Sequence, residues 1–197
     1  DLQKMRGSVS KSSLKDRSSC LWRYREWLPL EDSRNRVSLG EGFTPLIEVP
    51  RLAGDMKIGK LLIKDEARNP TGSFKDRGTS VMLSVAKEQG VTEIVEDSSG
   101  NAGASVSAYA ARAGIRAIVF IPSDLERGKI IGAAVYGPTL VSVEGTYDEV
   151  NRLCSELADN NRWAFANINM RAFYAEGSKT LGHEVAEQLG WRAPDHC

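Results

Sequence analysis

Short apolar runs alternate with helical patterns of polar and apolar residues along most of the chain. Short apolar runs bounded by glycine, proline or polar residues are typical of buried strands, whereas apolar residues spaced three and four apart predict helices. The predicted strands cover residues 60–65, 92–97, 116–122, 139–145 and 163–168. The predicted helices cover residues 73–90, 101–114, 128–137, 146–161 and 173–190.

Strands and helices that alternate at these lengths predict right-handed βαβ units, and hence an α/β fold with mostly parallel sheets. Residues 91–168 are expected to close as a small three-layer αβα domain. Residues 21–90 and 169–197 are then expected to belong to a larger αβα domain, whose sheet is incomplete in this chain. Residues 1–20 are basic and serine-rich, and a disordered tail is expected there.

The composition is that of an ordinary globular protein. Hydrophobic residues make up 41% of the chain and charged residues 26%, and 26 Lys and Arg balance 26 Asp and Glu. This balance argues against nucleic acid as a partner, because nucleic-acid binding needs a basic surface. No apolar run approaches the ~18 residues of a membrane span, so no membrane contact is expected.

The cysteines and the start of the chain bear on its location. Cys20, Cys154 and Cys197 are scattered and odd in number, so they predict neither a disulfide framework nor a zinc site. No signal peptide is recognised, and a reducing cytoplasm is the expected compartment. Because the chain starts at Asp1 rather than at Met, a fragment of a longer protein is expected.

Two loops are expected at the ligand-binding edge of the sheets, beyond the carboxyl ends of the strands. They are NPTGS (69–73) and DSSGN (97–101). In the second loop, Gly100 lets the backbone approach a ligand, and the serines and the first N–H groups of the next helix can bind an anion. A plain helix N-cap has the same composition, so from the loop alone that alternative stays open.

Nucleotide-binding motifs are absent from the chain. The DSSGN loop lacks the third glycine of GxGxxG, so it does not predict a dinucleotide site. The segment EGSKT (176–180) is not a P-loop, because a serine separates its glycine from its lysine.

Lys75 lies just inside the predicted helix at 73–90, at the end where the helix dipole disfavours a cation. A lone lysine is most often a solvated surface residue. Here the positive helix end favours the neutral amine, and the sheet edge brings the amine toward the DSSGN loop. A neutral, partly desolvated amine attacks aldehydes and carries protons. The two loops together therefore indicate an aldehyde-cofactor site beside an acid-binding turn.

Several longer motifs carry a family resemblance. They are LWRYREWLP (21–29), LGEGFTPL (39–46), IKDEARNPTGSFKDRG (63–78), DSSGNAGAS (97–105) and YAEGSKTLGHEVAEQLGW (174–191). With them the chain resembles the N-terminal part of threonine synthases, within the tryptophan-synthase-β-like family of fold-type II pyridoxal-phosphate enzymes. The resemblance implies a cytoplasmic homodimer that acts on a small amino-acid substrate and uses pyridoxal phosphate.

The resemblance also implies roles for individual residues. Lys75 would carry the cofactor on its amine and act as the catalytic residue. Phe74 would pack beside the cofactor, and Asn101 would bond to its phenolic oxygen. Asp76 and Arg77 are expected to brace the helix end. The substrate carboxylate would be held by Ser98, Ser99, Gly100, Asn101 and Ala102.

The implied reaction converts O-phospho-L-homoserine and water into L-threonine and phosphate. Serine or threonine dehydration and β-replacement of the cysteate-synthase type are alternatives on the same site, and a truncated, non-catalytic relative is a third. Tyr174 stands where relatives commonly have a phosphate-binding arginine, and Arg171 is a nearby substitute. The family's glycine-rich phosphate loop is expected beyond residue 197. His183 is expected on a solvated helix face.

Overall fold

The computed structural model describes residues 9–98, 100–160 and 163–197. The strands among them are β1 (Leu46–Glu48), β2 (Leu62–Lys64), β3 (Glu93–Glu96), β4 (Arg116–Pro122), β5 (Thr139–Val143) and β6 (Ala164–Phe165). The α-helices are α1 (Lys11–Leu14), α2 (Pro50–Asp55), α3 (Lys75–Glu88), α4 (Asn101–Ala113), α5 (Arg127–Ala134), α6 (Tyr147–Asn160), α7 (Arg171–Ser178) and α8 (Thr180–Gln188). Short 3-10 helices cover Leu21–Trp27, Ser33–Asn35 and Glu66–Arg68. Among the helices so described, none has the length and apolar character needed to cross a membrane.

Strands β3 to β6 form one parallel sheet in the order β5-β4-β3-β6. Its register pairs Ile94 of β3 with Ala117 of β4 on one side and with Ala164 of β6 on the other. Helices α4, α5 and α6 connect the successive strands, as parallel pairing requires. The predicted parallel sheet is therefore confirmed, although β6 is shorter than the strand predicted at 163–168.

The two faces of this sheet carry different helices, because neighbouring residues of a strand point to opposite sides. Ile94 lies in one buried cluster with Met82 of α3 and Tyr109 of α4. Val95 lies in a second buried cluster with Val150 of α6. The unit has three layers, as predicted, and α3 covers the same face of the sheet as α4.

A second, smaller sheet is formed in the described residues by β1 and β2 alone, which pair antiparallel. The strand predicted at 60–65 is found as β2. The sequence pattern does not predict β1, because this strand has only three residues and lies between Pro45 and Pro50. The expected incomplete second sheet is confirmed, with an antiparallel pair where parallel strands were expected.

The helix predicted at 173–190 is divided into α7 and α8, which meet at Lys179. Gly177, near this break, lies very close to α3. A Cβ atom added there would be 2.1 Å from the carbonyl oxygen of Arg77. The glycine therefore lets α7 cross directly over the start of α3.

The segment expected to be a disordered tail, residues 1–20, has packed structure in its described part. Ser10 caps α1 by accepting a hydrogen bond from the Ser13 N–H at 3.1 Å. Leu14 is 1% exposed, and its carbonyl oxygen accepts a hydrogen bond from Arg23 Nη2 at 2.7 Å. The structure differs from the expectation because one apolar residue within a polar stretch finds a buried site.

His183 packs against aromatic rings, so the expectation of a solvated face is wrong. Its ring lies edge-on to Tyr24 and Trp27, with centroid separations of 5.5 and 4.8 Å. The Nε2 atom is buried and has no hydrogen-bond partner among the residues described. The difference arises because the 3-10 helix Leu21–Trp27 covers this side of α8.

This packing predicts that acid destabilises the fold. Burial, and then the charge of Lys179, lower the pKa of His183 below its ordinary value of 6.5, while Glu184 and Glu176 act in the opposite direction. The unfolded chain therefore takes up this proton more readily than the folded one. The stabilising contribution of neutral His183 is complete above about pH 6.5 and is lost as the pH falls toward the lower folded pKa.

The measurement is the urea midpoint of unfolding at about pH 8 and about pH 5, for the wild type and for His183→Phe. We expect the phenylalanine variant to lose less stability in acid than the wild type. Equal losses in the two proteins would rule out His183 as a source of the acid sensitivity.

Candidate active site

A cavity of about 430 Å³ lies at the edge of the parallel sheet where β3 and β6 end. The starts of α3, α4 and α6 and one side of α7 complete its wall. Ligands of open α/β sheets bind at this edge, and the volume is typical of small-molecule sites. The polar lining includes Lys75, Glu96, Asp97, Asn167, Arg171 and Tyr174.

Lys75 is the first residue of α3, and it lines the cavity. The Oγ atom of Ser73 accepts a hydrogen bond from the Lys75 backbone N–H at 3.2 Å. The Nζ atom lies 5.7 Å from the centre of the Tyr174 ring. No ion pair of Lys75 is found in the described part of the chain, so the amine is available to a bound molecule.

The Tyr174 ring lies beside this amine because Gly78 leaves room for it. A Cβ atom at Gly78 would come within 2.5 Å of the ring. The Tyr174 hydroxyl is buried and lacks a hydrogen-bond partner among the described residues by distance and angle. The nearby Ser178 hydroxyl donates to the Tyr174 carbonyl at 3.1 Å. Burial, and then the charge of Glu96, raise the pKa of Tyr174 to about 12. The hydroxyl is therefore a neutral donor that a bound molecule can use.

Asp76 holds the loop before α3 in place, as predicted. It accepts hydrogen bonds from the N–H and the Oγ1 of Thr71 at 2.7 and 2.5 Å. It also accepts one from Ser105 of α4 at 2.7 Å. These bonds close the NPTGS loop and join the starts of the two helices that bear the candidate chemistry.

Arg77 is the centre of a buried ion network, which confirms its predicted bracing role. Its side chain is 0% exposed, and it donates paired hydrogen bonds to Glu66 at 2.6 and 2.8 Å and to Glu184 at 2.5 and 2.7 Å. Lys64 Nζ reaches Glu184 at 2.9 Å. The network connects α3, α8 and the antiparallel pair of β1 and β2, so distant parts of the chain together orient the helix that begins with Lys75.

Glu41, from the loop before β1, has a similar role beneath α3 and α4. Its buried carboxylate accepts hydrogen bonds from Trp22 Nε1 at 3.1 Å, Ser80 Oγ at 2.6 Å and the Tyr109 hydroxyl at 2.8 Å. Three separate elements are therefore anchored to one side chain.

Two neighbouring carboxyl groups, Glu96 and Asp97, line the cavity at the end of β3. Both accept a hydrogen bond from the side-chain amide of Asn167, and the bond to Glu96 Oε1 is 3.2 Å long. Burial, and then the charge of Asp97, raise the pKa of Glu96 to about 8, whereas Lys75 lowers it. Burial and the neighbouring Asp97 therefore favour the protonated form of Glu96.

The family model described as "Pyridoxal-phosphate dependent enzyme" matches residues 37–197. The chain belongs to this family. The match includes Lys75, the cavity and the whole parallel sheet, and it confirms the family resemblance that the sequence motifs carry.

Threonine synthases are among the similar curated proteins. The chain is 38% identical to the threonine synthase of Methanocaldococcus jannaschii over 196 residues, which are 99% of this chain and 48% of that protein. It is 36% identical to the threonine synthase of Methanosarcina acetivorans over 188 residues, which are 95% of this chain and 46% of that protein. The chain thus spans about half the length of the curated relatives it matches.

Two solved enzyme structures have the same fold. O-ureido-L-serine synthase matches with a TM-score of 0.67 and 25% identity, over 85% of this chain and 54% of that one. Apo diaminopropionate ammonia lyase from Escherichia coli matches with a TM-score of 0.69 and 19% identity, over 84% of this chain and 56% of that one. The predicted fold-type II architecture is confirmed.

The structure brings only some of the predicted site residues of this family member together. Lys75 and Ala102 line the cavity. Ser99 lies outside the described residues. The other predicted residues lie near the starts of α3 and α4 but outside the lining: Phe74, Ser98, Gly100 and Asn101. Their roles stay predictions.

Sequence reasoning missed several residues of the cavity wall. Glu96 ends β3, Asn167 follows β6, and Tyr147 begins the helix after β5. The rule that ligands bind beyond the carboxyl ends of parallel strands, applied to every strand rather than to two, selects all three. A different signal points to Arg171 and Tyr174, because the sequence departs from the family motif at Tyr174 and Arg171 is the nearby substitute.

Proposed function

We propose that this chain is the N-terminal part of a pyridoxal-phosphate-dependent lyase that converts O-phospho-L-homoserine and water into L-threonine and phosphate. The observation that carries the proposal is Lys75, which lines the cavity and whose amine has no ion pair among the described residues. The 38% identity to a threonine synthase over 99% of the chain supports this particular reaction. The homodimer that the resemblance implies is part of the proposal.

The residues around the cavity fit pyridoxal phosphate. Lys75 offers the primary amine that an aldehyde needs, and Tyr174 offers a buried hydroxyl without a partner among the described residues. The volume of about 430 Å³ has room for such a ligand. When bound, pyridoxal phosphate supplies an aldehyde and a ring that accepts the electron pair left by removal of an α-proton.

Lys75 has two tasks in this proposal. Its amine anchors the cofactor, and when free it removes the α-proton of the substrate and returns protons to it. The contacts of Asp76 with Thr71 and of Arg77 with Glu184 hold the start of α3, and with it the amine, beside the cavity.

The turn before α4 is proposed to hold the substrate. Its hydroxyl and N–H groups donate hydrogen bonds to the α-carboxylate, aided by the positive end of α4. Asn101 also bonds to the phenolic oxygen of the cofactor, and Phe74 packs beside the ring. The carboxylate-binding residues are Ser98, Ser99, Gly100, Asn101 and Ala102. Residues 91–168 form the proposed small domain, and 21–90 and 169–197 belong to the large one.

Arg171 is proposed to contact the substrate phosphate. It lines the cavity, and no ion pair of its side chain is found among the described residues. Guanidinium groups suit this task because they donate several hydrogen bonds to phosphate oxygens. Tyr174 stands in the position where the resemblance implies an arginine. An aromatic ring there favours the second candidate function, deamination of unphosphorylated serine or threonine or a β-replacement on the same site.

The test uses the full-length protein loaded with pyridoxal phosphate. We expect O-phosphohomoserine to yield threonine and phosphate in equal amounts, with no keto acid formed from serine or threonine. Arg171→Gln should raise the KM for O-phosphohomoserine by about tenfold or more, because a charge-assisted contact is lost. Keto acid from serine or threonine, with O-phosphohomoserine unchanged, would replace the proposal by the second candidate. A protein that binds neither cofactor nor substrate would be a non-catalytic relative.

A further inference from the structure

Glu96 is a buried acid that the proposed reaction does not use. It is 2% exposed, yet it lines the cavity. Strand alternation puts it on the same face as Ile94, toward α3 and α4. Within the described residues its side chain accepts one hydrogen bond, the 3.2 Å bond from Asn167 Nδ2. Burial disfavours the charged form of such an acid unless a cation compensates it.

The charges around Glu96 favour the proton. Asp97 is adjacent, is 7% exposed, and shares the Asn167 amide with Glu96. Burial and this neighbour raise the pKa of Glu96 to about 8 against the effect of Lys75. The other titratable groups that feel its charge come from two helices, and they are Tyr147 and Cys154 of α6 and Tyr174 of α7.

One cation of the cavity lining, Arg171, favours an anionic group in the bound molecule. It has no ion pair in the described part of the chain, and it remains free when the Lys75 amine holds the cofactor. A carboxylate at position 96 would add to the negative charge of Asp97 and repel an anion bound near Arg171, whereas a carboxylic acid there can donate a hydrogen bond to it.

We propose that Glu96 carries its proton at neutral pH and donates a hydrogen bond to an anionic oxygen of the molecule bound in the cavity. The identity of that molecule as a phosphorylated amino acid rests on the proposed function. The hydrogen bond makes Glu96 a specificity-determining residue, because it favours anionic groups and disfavours cationic ones at this wall.

Proton and anion binding are then coupled. An anion that binds only the protonated form of Glu96 loses affinity as the acid ionises. With the pKa of Glu96 at about 8, affinity should fall by about tenfold between about pH 7 and about pH 9. A glutamine at position 96 stays a neutral donor at every pH, so it should abolish the fall.

The test is sulfate binding to the cofactor-loaded full-length protein, measured by isothermal titration calorimetry at about pH 7 and about pH 9. Sulfate imitates a phosphate ester but does not itself titrate in this range, and no turnover is needed. We expect the wild type to lose about tenfold in affinity and Glu96→Gln to lose little, so that Glu96→Gln binds better than the wild type at the higher pH. Asp97→Asn should shift the fall to lower pH, because it removes the neighbouring charge.

The comparison separates this role from simple packing. The Glu96→Ala variant should bind sulfate weakly at both pH values, since it leaves room for the anion but removes the hydrogen-bond donor. The inference is overturned if wild type and Glu96→Gln lose affinity equally, if the wild type loses none, or if sulfate does not bind. A protein that ignores O-phosphohomoserine yet passes this test refutes the proposed reaction and leaves the role of Glu96 standing.

Discussion

Replacing Lys75 with Ala should lower the rate of threonine formation by about 10³-fold or more in the full-length protein. The amine at the start of α3 is proposed both to anchor the cofactor and to move the α-proton, so one substitution removes two contributions. Nothing else in the described cavity lining offers a primary amine. Cofactor absorbance that remains after gel filtration measures the loss of anchoring. Rates of threonine and phosphate release measure the loss of proton transfer.

Lys87→Ala is the matched control. Lys87 lies on the same helix but near its far end, where its side chain is exposed and distant from the cavity. It should keep full cofactor content and nearly full activity. If Lys75→Ala retained more than about a tenth of the wild-type rate, Lys75 could not be the group that moves the proton.

Replacing Arg77 with Met should lower the free energy of unfolding by about 3–5 kcal/mol. Its guanidinium is 0% exposed and pairs with Glu66 and Glu184, whose carboxylates would be left without their main partner. Methionine fills much of the space, so the loss comes chiefly from uncompensated charge rather than from a cavity. Urea unfolding, monitored by circular dichroism, measures the change in the free energy of unfolding. The dependence of that free energy on urea concentration should be the same in the wild type and the variant.

The control for Arg77 is Arg152→Met. Arg152 pairs with Glu156 across one turn of α6, but the two side chains are 75% and 66% exposed. Water screens such a pair, so its loss should cost no more than about 0.5 kcal/mol. Similar losses for the two variants would mean that the Arg77 network contributes no more than an exposed pair. The distinction matters for function because this network holds the helix that starts with Lys75.

The fold class follows from the sequence because strand and helix periods are local properties. We could predict strands at 92–97 and 116–122 and a helix at 101–114 without knowledge of distant residues. They appear in the structure as β3, β4 and α4. The rule that ligands bind beyond the carboxyl ends of parallel strands then predicted that Lys75 lies near the start of α4. The cofactor was predicted from family motifs, because periodicity carries no information about it.

Other features depend on which residues meet in space. Arg77 bonds to Glu184 across 107 positions of the chain, and Tyr109 bonds to Glu41 across 68. From the sequence, His183 fits an exposed helix position. In the structure the Leu21–Trp27 helix packs against its ring. Strand β1 exists only because β2 supplies its hydrogen bonds.

The parallel α/β layering, the loop that carries Lys75 and the family of the chain could be predicted from the sequence, because they depend on short-range periodicity and on contiguous motifs. The burial of Glu96 beside Asp97, the packing of His183 against aromatic rings and the ion network of Arg77 required the tertiary structure. Charge and burial are properties of a residue's neighbours, and those neighbours come from parts of the chain that folding brings together.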